Sequence, residues 1–172
     1  MEDIRLRSGA SNGSIYHHFN SKEQLAAAVY LQGIVEYQKQ MVEELNKVTD
    51  PREGIHAIIR HHLRWVYEHP DWAKFLFRMR HADFMSHVEE AMTKANRDYE
   101  TVLGNFFRKH IENGTIRRLP KGVFSSILFG PSQDFCRNWL SVKMKVDIDS
   151  IADELGEAAW RSLALKGIMN EH

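Results

Sequence analysis

Gly9-Ala10-Ser11-Asn12-Gly13-Ser14-Ile15-Tyr16-His17-His18-Phe19, followed by Ser21-Lys22-Glu23-Gln24-Leu25, is the stretch on which the reading of this chain turns. Gly9 can end a short helix over about Met1 to Arg7 in a left-handed turn. Ser11 can cap a second short helix that reaches about Phe19. Two short helices joined by a glycine-bearing turn have the layout of a helix-turn-helix. Ile4, Leu6, Ile15 and Phe19 supply apolar packing, with Ile15 and Phe19 one turn apart on the same face. Asn12, Ser14, Tyr16, His17 and His18 are left on other faces, and all can hydrogen-bond. The start of the second helix offers free backbone N–H groups to a phosphate. Gly13 removes a side chain where a DNA backbone would come close. Lys22 can reach a phosphate from the next helix. On these residues alone, a plain helical hairpin with a polar face fits as well as a DNA reader.

Outward from this stretch the helical period dominates. Ser21 and Gln24 read as a capping box opening a helix to about Lys47, with Leu25, Ala28, Val29, Ile34, Met41 and Leu45 apolar. Asp50-Pro51-Arg52-Glu53 is a second start, with an N-cap, a proline at the first helical position and an acid in the first turn. Ile55, Ile58, Ile59, His62, Leu63 and Val66 follow at helical spacing until Pro70. An aromatic segment covers about Asp71 to His81, and a long helix about Phe84 to Asn113. Asn113-Gly114 stops it. A helix from about Lys121 to Lys143 contains Gly130-Pro131, which should kink it. The last helix starts near Asp147 or Asp149 and turns Ile151, Ala152, Leu155, Ala159 and Leu163 to one side. The expectation is an all-α chain with a helix-turn-helix and connecting helix over 1–47 and a helical bundle over 48–172.

Composition narrows the function classes. Apolar residues make up 43% of the 172, enough for a sizeable core, and the formal net charge is zero. Nucleic-acid affinity must then come from a local surface and not from a global field. The single cysteine, Cys136, cannot form an internal disulfide, so the chain fits a reducing cytoplasm, and Cys136 reads as a small buried residue. No apolar run is long enough for a membrane span. Ten histidines invite a metal reading, but His56, His61, His62 and His69 include no one-turn pair. Asp83 and His87 make a single pair, which is not a site, so no metal is expected. No nucleophile elbow, phosphate loop or dinucleotide fingerprint occurs, so neither an enzyme nor a cofactor is expected.

The stretch from Gly9 to Leu25 resembles the DNA-binding motif of the TetR (tetracycline repressor) family of bacterial regulators. That motif runs glycine, small apolar, serine, any residue, glycine, hydroxyl, apolar, tyrosine, any residue, histidine or tyrosine, phenylalanine, and then serine-lysine-glutamate. The resemblance implies that Asn12, Gly13, Ser14 and His17 meet the major groove or its edge, that Tyr16 and Lys22 contact phosphates, and that Ser11 belongs to the same DNA-binding set. Two departures stand out. The family's domain opens with a helix ahead of the helix-turn-helix, and this sequence begins after it. Arg5 and Ser8 stand where small alanines are usual.

The resemblance also implies that the bundle binds a small effector, forms a homodimer and releases operator DNA as a repressor. Trp65 and His61, off the main stripe of their helix, with Trp72, Phe75, Phe106, Gln133 and Trp139, are the candidate pocket residues. The effector would be a small apolar or aromatic molecule. Phe124, Ile127, Phe135, Leu155, Ala159, Trp160 and Leu163 on the last two helices are the candidate dimer surface. The alternative is a helical small-molecule-binding bundle, or an enzyme, without DNA binding.

Overall fold

A computed structural model describes residues 19–80, 82–120, 122–142 and 144–165. Among these residues the chain forms six α-helices and one 3-10 helix: α1 (Lys22–Leu45), α2 (Pro51–Glu68), α3 (Pro70–Met79), the 3-10 helix Asp83–Val88, α4 (Glu89–Glu112), α5 (Val123–Val142) and α6 (Ile148–Leu163).

The caps read from the sequence hold the helix starts. The Ser21 hydroxyl accepts from the Gln24 N–H at 3.1 Å. The Gln24 side chain reaches back to the Asn20 N–H at 3.0 Å, one residue earlier than the reciprocal bond of a capping box. Asp50 accepts from the Glu53 N–H at 2.9 Å, with Pro51 at the first helical position. Pro70 does not only break α2; it opens α3 in the same position. The segment expected as one helix from Phe84 starts instead as 3-10, and the α-helix begins at Glu89. Gly114, at φ 79°, ends α4 as expected. α5 stays one helix through Gly130-Pro131. Pro131 is exposed there, and the Ser132 hydroxyl donates to the Phe129 carbonyl at 3.0 Å.

α2 is the centre of the bundle. Ile55, Ile58, Ile59, Leu63 and Val66 are at most 2% exposed. They share a cluster with Met41 and Leu45 of α1, Leu128 and Cys136 of α5, and Ala152 and Leu163 of α6. α6 lies along α2, and three ion pairs line the seam: Arg52–Glu157, Arg60–Asp153 and Arg64–Asp149, at 2.9, 2.9 and 2.7 Å. The arginines advance along α2 as the acids retreat along α6, as antiparallel helices require. The loop after α4 is pinned to the end of α6, where the Arg117 N–H donates to the Leu163 carbonyl at 2.8 Å and the Leu165 N–H to the Thr115 carbonyl at 3.0 Å.

The buried face of α1 differs from the expected one. It carries Ala27, Tyr30, Gly33, Met41 and Leu45, whereas Val29 is 37% exposed. The reason is that α1 has neighbours on several sides, α2, α3, α4 and the 3-10 helix. Its inner surface is therefore not the stripe of highest hydropathy.

Candidate ligand-binding site

A cavity of about 1110 Å³, partly open to solvent, lies between α1, α2, α3, α4 and α5. α1 contributes Tyr30, Ile34, Tyr37 and Gln38, spaced so that they follow one face of the helix. α2 contributes His62, Trp65 and Val66; Leu103 and Phe107 come from α4, Phe124 and Leu128 from α5. The wall is thus mainly apolar and aromatic. Its charged members, Arg80, Glu100, Arg108, Glu112 and Arg118, are all exposed residues and so mark the rim. An apolar chamber with charge only at its edge suits a mostly apolar small molecule.

A few polar groups stand inside. The Tyr37 hydroxyl bonds His62 Nδ1 at 3.0 Å. Gln38 donates to the Asn96 side-chain carbonyl at 2.9 Å, tying α1 to α4. Burial pushes the His62 imidazole down to about 4, and the neighbouring His61 adds to this, so His62 is neutral near pH 7. Burial holds the Tyr37 phenol well above its ordinary value. Outside the cavity, burial pushes the Cys136 thiol up to about 12, which leaves it a small uncharged side chain.

Of the seven candidate pocket residues, Trp65 and Gln133 line this cavity. The other five do not. The His61 Nε2–H donates to the Tyr37 backbone carbonyl at 3.1 Å. Trp72 packs on Gly33 and on the Trp65 ring, 6.0 Å away. Phase of the helix turns Phe75 edge-on to Tyr30, at 6.4 Å. Phe106 packs on Phe107 and lines a smaller hollow of about 310 Å³ with Leu45 and Val48. Trp139 lies against Tyr67 at 5.4 Å and donates to the Met144 carbonyl at 2.9 Å. Tyr30, Tyr37, Leu103 and Phe107 were missed as pocket residues. The spacing Tyr30, Ile34, Tyr37, Met41 was the available signal, because it marks a face of α1 that carries aromatic rings.

Among the candidate dimer residues, Phe124 lines the cavity, and Leu163 and Ala159 are 0% and 5% exposed within a single chain. Those two have little side-chain surface left for a second copy. Ile127, Phe135, Leu155 and Trp160 are half-buried and retain some. Of the candidate DNA contacts, Lys22 is the exposed first residue of α1. Ser11, Asn12, Gly13, Ser14, Tyr16 and His17 lie outside the described residues. Among the described residues no three potential ligands gather for a metal, and no helix is long and apolar enough to cross a membrane.

Both ends of the sequence match one family. The profile described as "Bacterial regulatory proteins, tetR family" matches residues 1–29, and "Tetracyclin repressor-like, C-terminal domain" matches residues 30–165. The chain belongs to the TetR family. It is a DNA-binding regulator of transcription that answers to a ligand, and a helical bundle or enzyme without DNA binding is not favoured. The junction between the two matches falls inside α1, so one helix is shared by both regions.

Relatives agree with the TetR assignment. The fatty acid metabolism regulator protein of Bacillus subtilis (strain 168) is 19% identical over 175 residues, covering 99% of this chain and 86% of that protein. A TetR family transcription regulator from Marinobacter aquaeolei VT8 superposes with a TM-score of 0.75 at 18% identity, covering 94% of this chain and 82% of that one. The fatty acid degradation regulator FadR from Bacillus halodurans superposes with a TM-score of 0.74 at 17% identity, covering 91% and 81%. At these identities the superpositions establish the shared fold.

Proposed function

We propose that the cavity receives an elongated, mostly apolar effector of the fatty-acyl kind, and that its binding releases the protein, as a repressor, from operator DNA. One observation carries this reading: α1 serves two regions. Tyr30, Ile34, Tyr37 and Gln38 stand on the cavity wall, and the same helix begins at Lys22, within the last residues of the DNA-binding motif. A ligand that displaces the wall moves the base of the reader. The names of two relatives, both regulators of fatty acid metabolism or degradation, support the acyl class.

Function as a homodimer follows from the same logic, because two readers on a two-fold axis match two half-sites one helical turn apart. The unit that binds effector and dimerises is 48–172, and 1–47 carries the reader and its connecting helix. Linkage requires that operator DNA weaken effector binding by the factor by which effector weakens DNA binding.

The test is fluorescence anisotropy with duplex DNA from upstream of the protein's own coding region. Binding should be sequence-specific and fall with salt. It should weaken when octadecanoic acid or its thioester is added, and when Lys22 is changed to alanine. Specific binding that no acyl compound weakens overturns the effector assignment. Absence of specific binding overturns the operator reading.

A further inference from the structure

The cavity is open mainly on one side. Apart from Arg80, every exposed residue on its wall belongs to α4, to α5 or to the connection between them. On α4, Glu100, Gly104 and Arg108 follow one another at one-turn spacing, and all three are exposed. On α5, exposed Ser125 is followed at the same spacing by half-buried Phe129 and Gln133.

The two helices stand on different supports. α4 packs on α1 and on the 3-10 helix, whereas α5 packs on α2, α3 and α6. Asn96 of α4 accepts from Gln38 of α1, and the Tyr99 hydroxyl donates to Met41 Sδ of α1 at 2.8 Å. Among the described residues no side-chain hydrogen bond or ion pair runs from α4 to α5. The rings of Phe107 and Phe124 meet, with centroids 4.9 Å apart, near the end of α4 and the start of α5. Beyond that pair the two helices do not pack along each other. Gly104 keeps the gap wide, since a Cβ there would meet nothing within 4 Å.

The other walls are closed by packing. Passage between α1, α2 and α3 would part buried side chains such as Tyr30, Val66 and Leu76, at a cost in apolar burial. Passage between α4 and α5 breaks no polar bond.

Resting on the reading of the cavity as the effector site, we propose that the seam between α4 and α5 is the doorway through which an apolar effector enters and leaves, and that bulk on its edges sets the rate of exchange. A doorway serves both directions, so narrowing it slows association and dissociation equally and leaves affinity unchanged. Helical phase puts Phe129 and Gln133 on a different face of α5 from Ile127 and Phe135, so a dimer through those two residues does not need to cover the seam.

The test follows cis-parinaric acid by stopped-flow fluorescence on the full chain, with a bulky group attached at single cysteines. Glu100→Cys and Ser125→Cys place a thiol on each edge of the seam, and Arg80→Cys places one at the other exposed part of the wall. The native Cys136 is buried and its thiol is pushed up to about 12, so a polyethylene-glycol maleimide leaves it unmodified. Each variant is compared before and after labelling, so any effect of the substitution itself cancels. A label at either edge should slow association and dissociation alike, by about tenfold or more, with affinity held within about twofold. The label on Arg80→Cys should leave both rates unchanged. If neither edge label slows exchange, or if the Arg80→Cys label slows it as much, the doorway is overturned and the cavity reading stands. Edge labels that only speed dissociation act on the bound state and overturn it too. If the unlabelled proteins and the unaltered chain bind no probe, the cavity reading falls as well.

Discussion

The Tyr37 hydroxyl lies 3.0 Å from His62 Nδ1, and this bond joins α1, the helix shared with the DNA-binding region, to α2 at the centre of the core. Its pH dependence follows from His62. With the folded imidazole at about 4 against an ordinary 6.5, both states are neutral above pH 6.5 and stability is complete there. As pH falls, the unfolded chain takes up a proton that the folded chain refuses, so stability is lost down to about pH 4. By pH 5 the loss is about 2 kcal/mol. Burial lowers His61 as well, with the same sign, so the His62 share must be isolated by substitution. Urea unfolding of the unaltered protein and His62→Phe at pH 7.5 and 5 should show a smaller acid loss in the variant. Parallel losses would refute the assignment.

Gly33 of α1 packs directly against Trp72 of α3. A Cβ there would fall 2.5 Å from Trp72 Nε1 and 2.8 Å from its ring. Alanine would favour the helix by about 1 kcal/mol, but forcing Trp72 aside costs about 1–3 kcal/mol. Gly33→Ala should therefore lower the thermal midpoint. A raised midpoint would mean that Trp72 yields freely.

The seam between α2 and α6 separates charge from packing. Arg60 and Asp153 are exposed partners, with 37% and 63% of their side-chain surface accessible. Arg60→Ala should cost less than about 1 kcal/mol and lose even that in high salt. Leu63, one turn on and fully buried, should cost about 2–5 kcal/mol as Leu63→Ala. Denaturant curves for the two variants test the ranking.

Gly104 lines the cavity from α4, and a Cβ there meets nothing within 4 Å. Gly104→Trp should fill part of the chamber without disturbing the core. Affinity for octadecanoic acid should fall by about tenfold or more while the thermal midpoint is unchanged or higher. Unaltered affinity would place the acyl chain elsewhere.

Trp160 is half-buried on α6 and keeps surface that a second copy could cover. Sedimentation of Trp160→Glu should show a monomer where the unaltered protein sediments as a dimer. A dimeric variant would take Trp160 out of the interface.

Local signals carried the fold. Ser21, Asp50, Asp147, Pro51 and Gly114 act on backbone groups within one turn of themselves, so their effects are written in adjacent residues. The family likewise rests on a contiguous motif, Gly9 to Leu25. The cavity could be read only in part. Trp65 was legible because it stood off the stripe of α2, but Trp72, Phe75 and Phe106 are equally aromatic and pack elsewhere. Hydropathy ranks a side chain's reluctance to meet water; it does not say whether a ring or an empty chamber faces it.

The stretch from Gly9 to Phe19, with the caps that follow it, by itself determined that this is an all-helical TetR-family regulator. Only the tertiary structure decided that Tyr30, Ile34 and Tyr37 of α1 line one chamber with His62 and Trp65 of α2. It also decided that Phe124, expected at the dimer surface, lines that chamber too. The physical reason is range. Capping and helical phase are settled by neighbours in sequence, whereas a cavity is the space left where side chains distant in sequence fail to meet.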